Sequence, residues 1–132
     1  MSEKIGQNKA LLRRIYEEMW NRHDPAAARA LFARPESVER AVSEFLYAFP
    51  DLQHSVEELI GEGDRVVARF TARGTHTGQW KQYEPTGKPI QYTGVTLATV
   101  VGDKIVDHHT WWDTHGLIEQ ITSPRPASEE RQ

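Results

Sequence analysis

The run Asp107-His108-His109-Thr110-Trp111-Trp112 sets polar and aromatic side chains where a purely structural strand would alternate apolar with charged. Residues 104–112 read as the second arm of a hairpin, closed by Gly102-Asp103 onto a strand over residues 89–101. Alternation puts Val106, His108, Thr110 and Trp112 on one face, and Ile105, Asp107, His109 and Trp111 on the other. Tyr92, Gly94, Thr96 and Ala98 share the first face, and the tight turn sets Thr96 opposite His108 and Gly94 opposite Thr110. Unpartnered polar groups are costly inside a solid core, so this face is expected to line a small-molecule pocket. His108 is its titratable group, and an ordinary imidazole pKa of about 6.5 suits a general acid or base. Thr96, Thr110 and Tyr92 can orient a substrate or a water. A histidine merely held by Thr96 or a buried water is the competing reading.

Two further histidines share this expectation. His76 ends the preceding strand on the same face, near the mouth of the pocket, and a turn-forming role competes with ligand contact there. His54 fills an apolar slot in the pattern Leu52, His54, Val56. Three inward imidazoles raise the question of a metal. The strand spacing of roughly 3.3 Å per residue separates His76 from the His108 row, so no metal site and no cofactor are expected. Asp107 should face away from the pocket and Asp113 suits a helix N-cap, which leaves no second inward carboxylate for a paired-acid mechanism. Trp112 and Tyr92 should flank the cavity, with Trp20 closing it from the first helix. Aromatic walls carrying a few hydroxyl and imidazole groups suit a flat, hydrophobic ligand with some oxygens, although aromatics also fill ordinary small cores.

These strands must be held by what precedes them. Leu11, Leu12, Ile15, Tyr16 and Met19 recur at helical steps, and the helix ends near Asn21-Arg22-His23. Asp24-Pro25 reads as an N-cap with proline at the first helical position, opening a short helix 26–32. Pro35 opens a third helix that buries Val38, Ala41, Val42, Phe45, Leu46 and Phe49 and stops at Pro50. The period then changes to two. Residues 52–60 and 65–75 read as strands around the turn 61–64, and a Gly- and Pro-rich loop leads to the hairpin. Asp113 caps a last helix over 114–121, and residues 122–132 read as a polar, disordered tail. Helices followed by a four-stranded meander is an α+β layout.

With 132 residues the chain forms one domain, over 1–121. Its net charge of −3 and lack of a Lys/Arg cluster argue against nucleic acid as a partner. No run approaches the roughly 18 apolar residues of a membrane span. The N-terminus has no apolar signal core, and the absence of cysteine excludes disulfides and thiolate chemistry. A cytoplasmic protein is the expectation.

Six motifs occur in order: Phe49-Pro50-Asp51-Leu52, Gly63-Asp64-Arg65-Val66, Gly74-Thr75-His76-Thr77-Gly78, Pro85-Thr86-Gly87-Lys88, Asp103-Lys104-Ile105 and Trp112-Asp113-x-x-Gly116-Leu117. From about Leu11 to Ile121 the chain resembles the SnoaL-like polyketide cyclase (ester cyclase) family. The resemblance implies the cone-shaped α+β barrel shared with ketosteroid isomerase and nuclear transport factor, in which a curved sheet wraps a pocket plugged by N-terminal helices. Two departures stand out. Family members carry an extra short strand between the second and third helices, whereas here Phe32-Ala33-Arg34 meets Pro35 almost at once, which should open one wall of the cone. The family's acid/base Asp on the last strand falls on Thr110, and the neighbouring strand's His falls on Thr96. Threonine cannot exchange protons near neutrality as a carboxylate does.

The expected function is a cyclase or isomerase of a hydrophobic, carbonyl-bearing small molecule, working by cofactor-free acid/base chemistry through His108. The alternative is a non-catalytic binding or dimerisation module that has lost the family's Asp and His. Val95, Leu97, Ile105 and Trp111 on the opposite sheet face, with no later helix to cover them, point to a homodimer packed sheet against sheet.

Overall fold

The computed structural model describes residues 2–124; of the tail expected over 122–132, Thr122 instead ends the last helix and residues 125–132 lie outside the described residues. Helix α1 (Ser2–Arg14) runs into a π-helical turn, Ile15–Trp20. The wider π turn is closed by the Asn21 amide donating to the Tyr16 carbonyl at 2.8 Å. It turns Tyr16 and Trp20 toward the sheet together with Ile15 and Met19. Pro25–Ala27 forms a 3₁₀ turn leading into α2 (Ala28–Leu31), with proline at the first position as expected, but the Asp24 side chain makes no capping bond. Helix α3 (Glu36–Ala48) buries Val38, Val42 and Ala48. Phe45 and Leu46 are half-buried and Ala41 is exposed.

Four antiparallel strands follow in sequence order: β1 (Gln53–Glu62), β2 (Arg65–Thr75), β3 (Pro89–Val101) and β4 (Lys104–Trp112). The β2–β3 ladder is unbroken from Arg65↔Thr99 to Thr75↔Pro89. Its inward row, Val66, Ala68, Phe70 and Ala72 against Tyr92, Thr96 and Ala98, is buried beneath the helices. The loop between these strands is pinned to the end of α3, where the Thr77 and Gly78 amides both donate to the Ala48 carbonyl. Gly78 is required by that approach: a Cβ there would lie 2.1 Å from the Tyr47 carbonyl oxygen. Helix α4 (Thr114–Thr122) is capped by Asp113, whose carboxylate accepts from the Gly116 amide at 2.9 Å. Where β4 has ended, the Gln120 side chain pairs with both backbone groups of Gln91 and so covers the edge of β3.

One irregularity reorganises β4. A two-residue turn pairs Val101 with Lys104 and Val100 with Ile105, which makes Ile105 face inward. A bulge at Val106 then shifts the register, so that Ala98 pairs with His108, Thr96 with Thr110 and Gly94 with Trp112. Simple alternation fails here in two respects. Ile105 belongs to the core at 2% exposure rather than to the outer face, and Thr96 stands opposite Thr110 rather than His108.

The shortened segment after α2 leaves a trace of the missing strand. Phe32 forms a single parallel bridge with Ile105, and the Ala33 amide donates to the Ile105 carbonyl at 2.9 Å. Pro35 then turns the chain into α3, so among the described residues the edge of β4 away from β3 has no strand beside it from Asp107 to Trp111.

Candidate active site

A cavity of about 320 Å³ lies between the sheet and the helices. The π turn supplies Ile15, Tyr16, Met19 and Trp20; α3 supplies Val38, Ala41, Val42 and Phe45; the sheet supplies His54, Phe70, Tyr92, Thr96, His108, Thr110 and Trp112. The aromatic rings form a connected wall. Tyr92 and Trp112 are 4.8 Å apart by centroid, and Phe45 meets Trp112 edge-on at 5.5 Å. A second, more open groove of about 450 Å³ runs along the uncovered edge of β4 and shares Phe32, Val38 and His108 with the cavity. The cone is therefore open on the side where the strand is missing.

The polar part of the wall is a chain of three hydroxyls. Tyr16 Oη lies 2.6 Å from Thr96 Oγ1, which lies 2.8 Å from Thr110 Oγ1. The β-bulge at Val106 brings the two threonines face to face, and the π turn brings in the phenol. Burial pushes the Tyr16 phenol up to about 12, an effect partly offset by its bond to Thr96. Burial also raises the Tyr92 phenol, and nearby Tyr16 adds to this. Neither phenol ionises near neutrality.

The histidines divide sharply. His54 is 7% exposed and packed against Trp20 at 4.8 Å, Phe70 at 5.2 Å and Tyr16 at 5.4 Å. Its Nδ1 is sealed with no hydrogen-bond partner, and burial drives its pKa down to about 3. It is a neutral wall residue, fixed by Asn21, whose side chain accepts from the His54 amide at 2.7 Å and donates to its carbonyl at 2.9 Å. His108 lies at the junction of cavity and groove, with Phe32 edge-on to its ring at 5.0 Å. Burial by these neighbours lowers its pKa; Asp107 opposes that shift and His109 adds to it. The ring of His109 lies 4.1 Å from that of Trp111 by centroid, tilted by 48°, and His109 also contributes to the cavity lining.

His76 does not line the cavity. Its ring is fully buried against Phe49 at 5.4 Å, with Nδ1 3.0 Å from Thr86 Oγ1, inside the loop that joins β2 to β3. The β-alternation that placed it at the mouth stops at Thr75, where the strand ends. Of the other expected site residues, His54, Tyr92, Thr96, His108, Thr110, Trp112 and Trp20 all reach the cavity wall. Other residues also line the cavity, and two of them shape its chemistry. Tyr16, whose hydroxyl on an apolar helix face marked it as a possible donor, joins the polar wall, and Phe32 belongs to the segment whose strand is missing. Among the described residues, no group of three or more His, Asp or Glu side chains is placed to hold a metal ion.

A family model described as SnoaL-like polyketide cyclase matches residues 10–121. The chain belongs to that family. Aklanonic acid methyl ester cyclase DnrD of Streptomyces peucetius is 32% identical over 96 residues, covering 72% of this chain and 66% of that protein's length. Aklanonic acid methyl ester cyclase DauD of Streptomyces sp. strain C5 is 33% identical over 97 residues, 72% of this chain and 60% of its own length. The match thus spans just under two thirds of these relatives. A protein of Jannaschia sp. CCS1 assigned as a SnoaL-like polyketide cyclase superposes with a TM-score of 0.86 at 20% identity, over 95% of this chain and 98% of that one. AclR of Streptomyces galilaeus, assigned as a hydroxylase, superposes at 0.83 with 24% identity, over 96% and 89%. The SnoaL-like fold is therefore shared by proteins assigned to different chemistries, and the reaction of this family member has to be argued from its own side chains.

Proposed function

We propose that this SnoaL-like protein is a cofactor-independent cyclase or isomerase whose substrate is a flat, largely apolar small molecule with at least one carbonyl, of the kind the aklanonic acid methyl ester cyclases are named for. The reaction passes through an enolate: His108 removes a proton beside the carbonyl, and the hydroxyl row holds the oxygen on which negative charge develops. The observation that carries this reading is an elimination. Of the residues lining the cavity that could move a proton, His54 is held neutral and both phenols are held protonated, which leaves the exposed His108 and His109. His108 pairs with Ala98 on the buried row of the sheet, whereas His109 pairs with Leu97 on the outer row, so His108 is the base. His108→Gln is expected to abolish turnover of aklanonic acid methyl ester, or of a simpler aryl ketone by α-proton exchange, by at least about 100-fold while changing affinity by less than about threefold. Unchanged exchange rates would sink the role of His108. The absence of exchange in the wild-type protein, with binding intact, would favour a non-catalytic binding module, a reading encouraged by threonine at the family's Asp position.

The outer sheet face supports a second copy of the chain as partner. Trp111 is 56% exposed beside half-buried Val95 and Leu97, and no helix among the described residues covers them. We infer a two-fold homodimer through this face. Trp111→Lys is expected to halve the sedimenting mass; a wild-type monomer at micromolar concentration would rule the interface out.

A further inference from the structure

We propose that Tyr16 fixes the direction of the hydroxyl chain, so that Thr110 presents its proton to the cavity and the site selects ligands by an acceptor oxygen, a ketone or quinone carbonyl in preference to a hydroxyl. The proposal rests on the pocket reading above and deepens it. Three hydroxyls have three protons to place, and among the described residues the chain has only two internal bonds, Tyr16–Thr96 and Thr96–Thr110. Tyr16 is 2% exposed and Thr96 Oγ1 is its only partner among the described residues, so a Tyr16 proton pointing elsewhere would be buried without an acceptor. A phenol is also a better donor than an alcohol. Tyr16 therefore donates to Thr96. Thr96 is itself buried, and its own proton has one remaining acceptor within reach, Thr110 Oγ1. Thr110 then accepts from Thr96 and is left with a proton that no group among the described residues takes, on an exposed residue in the cavity wall. The opposite direction orphans the Tyr16 proton, and two donors converging on Thr96 orphan the Thr96 proton. Only one arrangement leaves no buried proton without an acceptor.

Tyr16 is thus a positioning residue that acts through Thr96, and Thr110 is the group that touches ligand. The chain supplies a neutral donor aimed by a buried network, at the position where the family's acid/base carboxylate would be an acceptor. A carbonyl oxygen facing Thr110 gains a bond whose donor is held in place before the ligand arrives. A hydroxyl ligand can accept the same proton, but its own proton then needs a second acceptor, which the hydroxyl chain does not supply while Thr110 is donating to that ligand.

The test uses three rigid, flat probes of one shape: 9-fluorenone, its hydrocarbon fluorene and its carbinol 9-hydroxyfluorene. Binding is read by quenching of tryptophan fluorescence, and the ketone by the infrared stretch of a ¹³C-labelled carbonyl. The wild-type protein is expected to bind fluorenone about three- to tenfold more tightly than either partner, the yield of one net hydrogen bond, with the carbonyl stretch shifted to lower frequency. Thr110→Val should remove both the preference and the shift, and Thr110→Ser should keep them. Tyr16→Phe should shrink the fluorenone-to-fluorene preference and the shift by about half, a ratio within one variant that loss of packing, which weakens both probes alike, would not move. Equal affinity for all three probes, or a preference for the carbinol, would overturn the proposal and leave the pocket standing. Failure of even fluorene to bind at millimolar concentration would overturn the pocket reading, and the proposal with it.

Discussion

Acidification from pH 7 to pH 4.5 is expected to cost the fold roughly 2.5 kcal/mol through His54 alone, and His54→Phe is expected to remove that part of the loss. The imidazole of His54 has a pKa of about 3 in the folded chain, through burial among aromatic rings, against about 6.5 in the unfolded chain. Above pH 6.5 both states are neutral and the histidine makes no pH-dependent difference. Below 6.5 the unfolded chain takes up a proton that the folded chain refuses, so stability falls with pH until the folded pKa is reached. Each unit crossed is worth about 1.4 kcal/mol, and pH 4.5 lies about two units below the unfolded value. His76 and His108 are also shifted down by burial and add losses of the same sign, so the variant keeps a residual slope. Phenylalanine fits between Trp20, Tyr16 and Phe70 and removes the sealed, unpartnered Nδ1. At pH 7 the variant should therefore be no less stable than the parent. Urea unfolding at both pH values measures this; equal losses in the two proteins would show that His54 is not the sensor.

The same residue shows how far the sequence could be read. A histidine in an apolar slot announced that His54 faces inward, and strand alternation is enough to establish that. What it does there depends on Trp20 and Tyr16 arriving from a π turn some thirty residues earlier, and no period in the sequence distinguishes a π turn from the α-helix it continues. The strands β2, β3 and β4 were legible to the residue, because Gly63-Asp64 and Gly102-Asp103 mark their turns and their apolar rows have a clean period of two. The register within the last hairpin was not. A two-residue turn forces pairs of opposite parity, and the inward row of β3 is even-numbered, so an inward His108 demands an extra residue somewhere in β4. That parity conflict was the available signal for the bulge at Val106, and its consequence is the Thr96–Thr110 pair on which the site turns. His76 failed for a different reason: alternation carries no information past the end of a strand, and the loop folds the ring under Phe49. The open wall was legible as an absence, since Pro35 follows Phe32 too closely for a strand, and a single bridge to Ile105 is what remains.

Thr110→Asp is expected to reverse the selectivity of the cavity rather than simply restore a lost catalyst. Thr110 stands where the resemblance to the family places an acid/base carboxylate. Aspartate there would accept from Thr96, so the direction of the hydroxyl chain set by Tyr16 would be preserved and its free proton would disappear. The exposed carboxylate would be ionised and would repel a carbonyl oxygen. The preference for fluorenone over fluorene is expected to fall from about three- to tenfold to below one, a change of at least about three- to tenfold. His108 lies two residues along the same inward face, roughly 6–7 Å away, and a carboxylate at that distance favours the imidazolium. Its titration, followed by NMR of the ring protons, should move upward in the variant. A retained ketone preference would mean that Thr110 is not the donor, and an unmoved His108 would mean that the two side chains do not share one cavity. Both changes follow from one physical difference between the residues. In the proposed enolate chemistry aspartate at this position would take a proton from the substrate, whereas threonine would hold the oxygen that becomes charged when the proton leaves. With threonine that chemistry requires the base to lie elsewhere, and the open wall beside β4 leaves His108 both at the cavity and exposed.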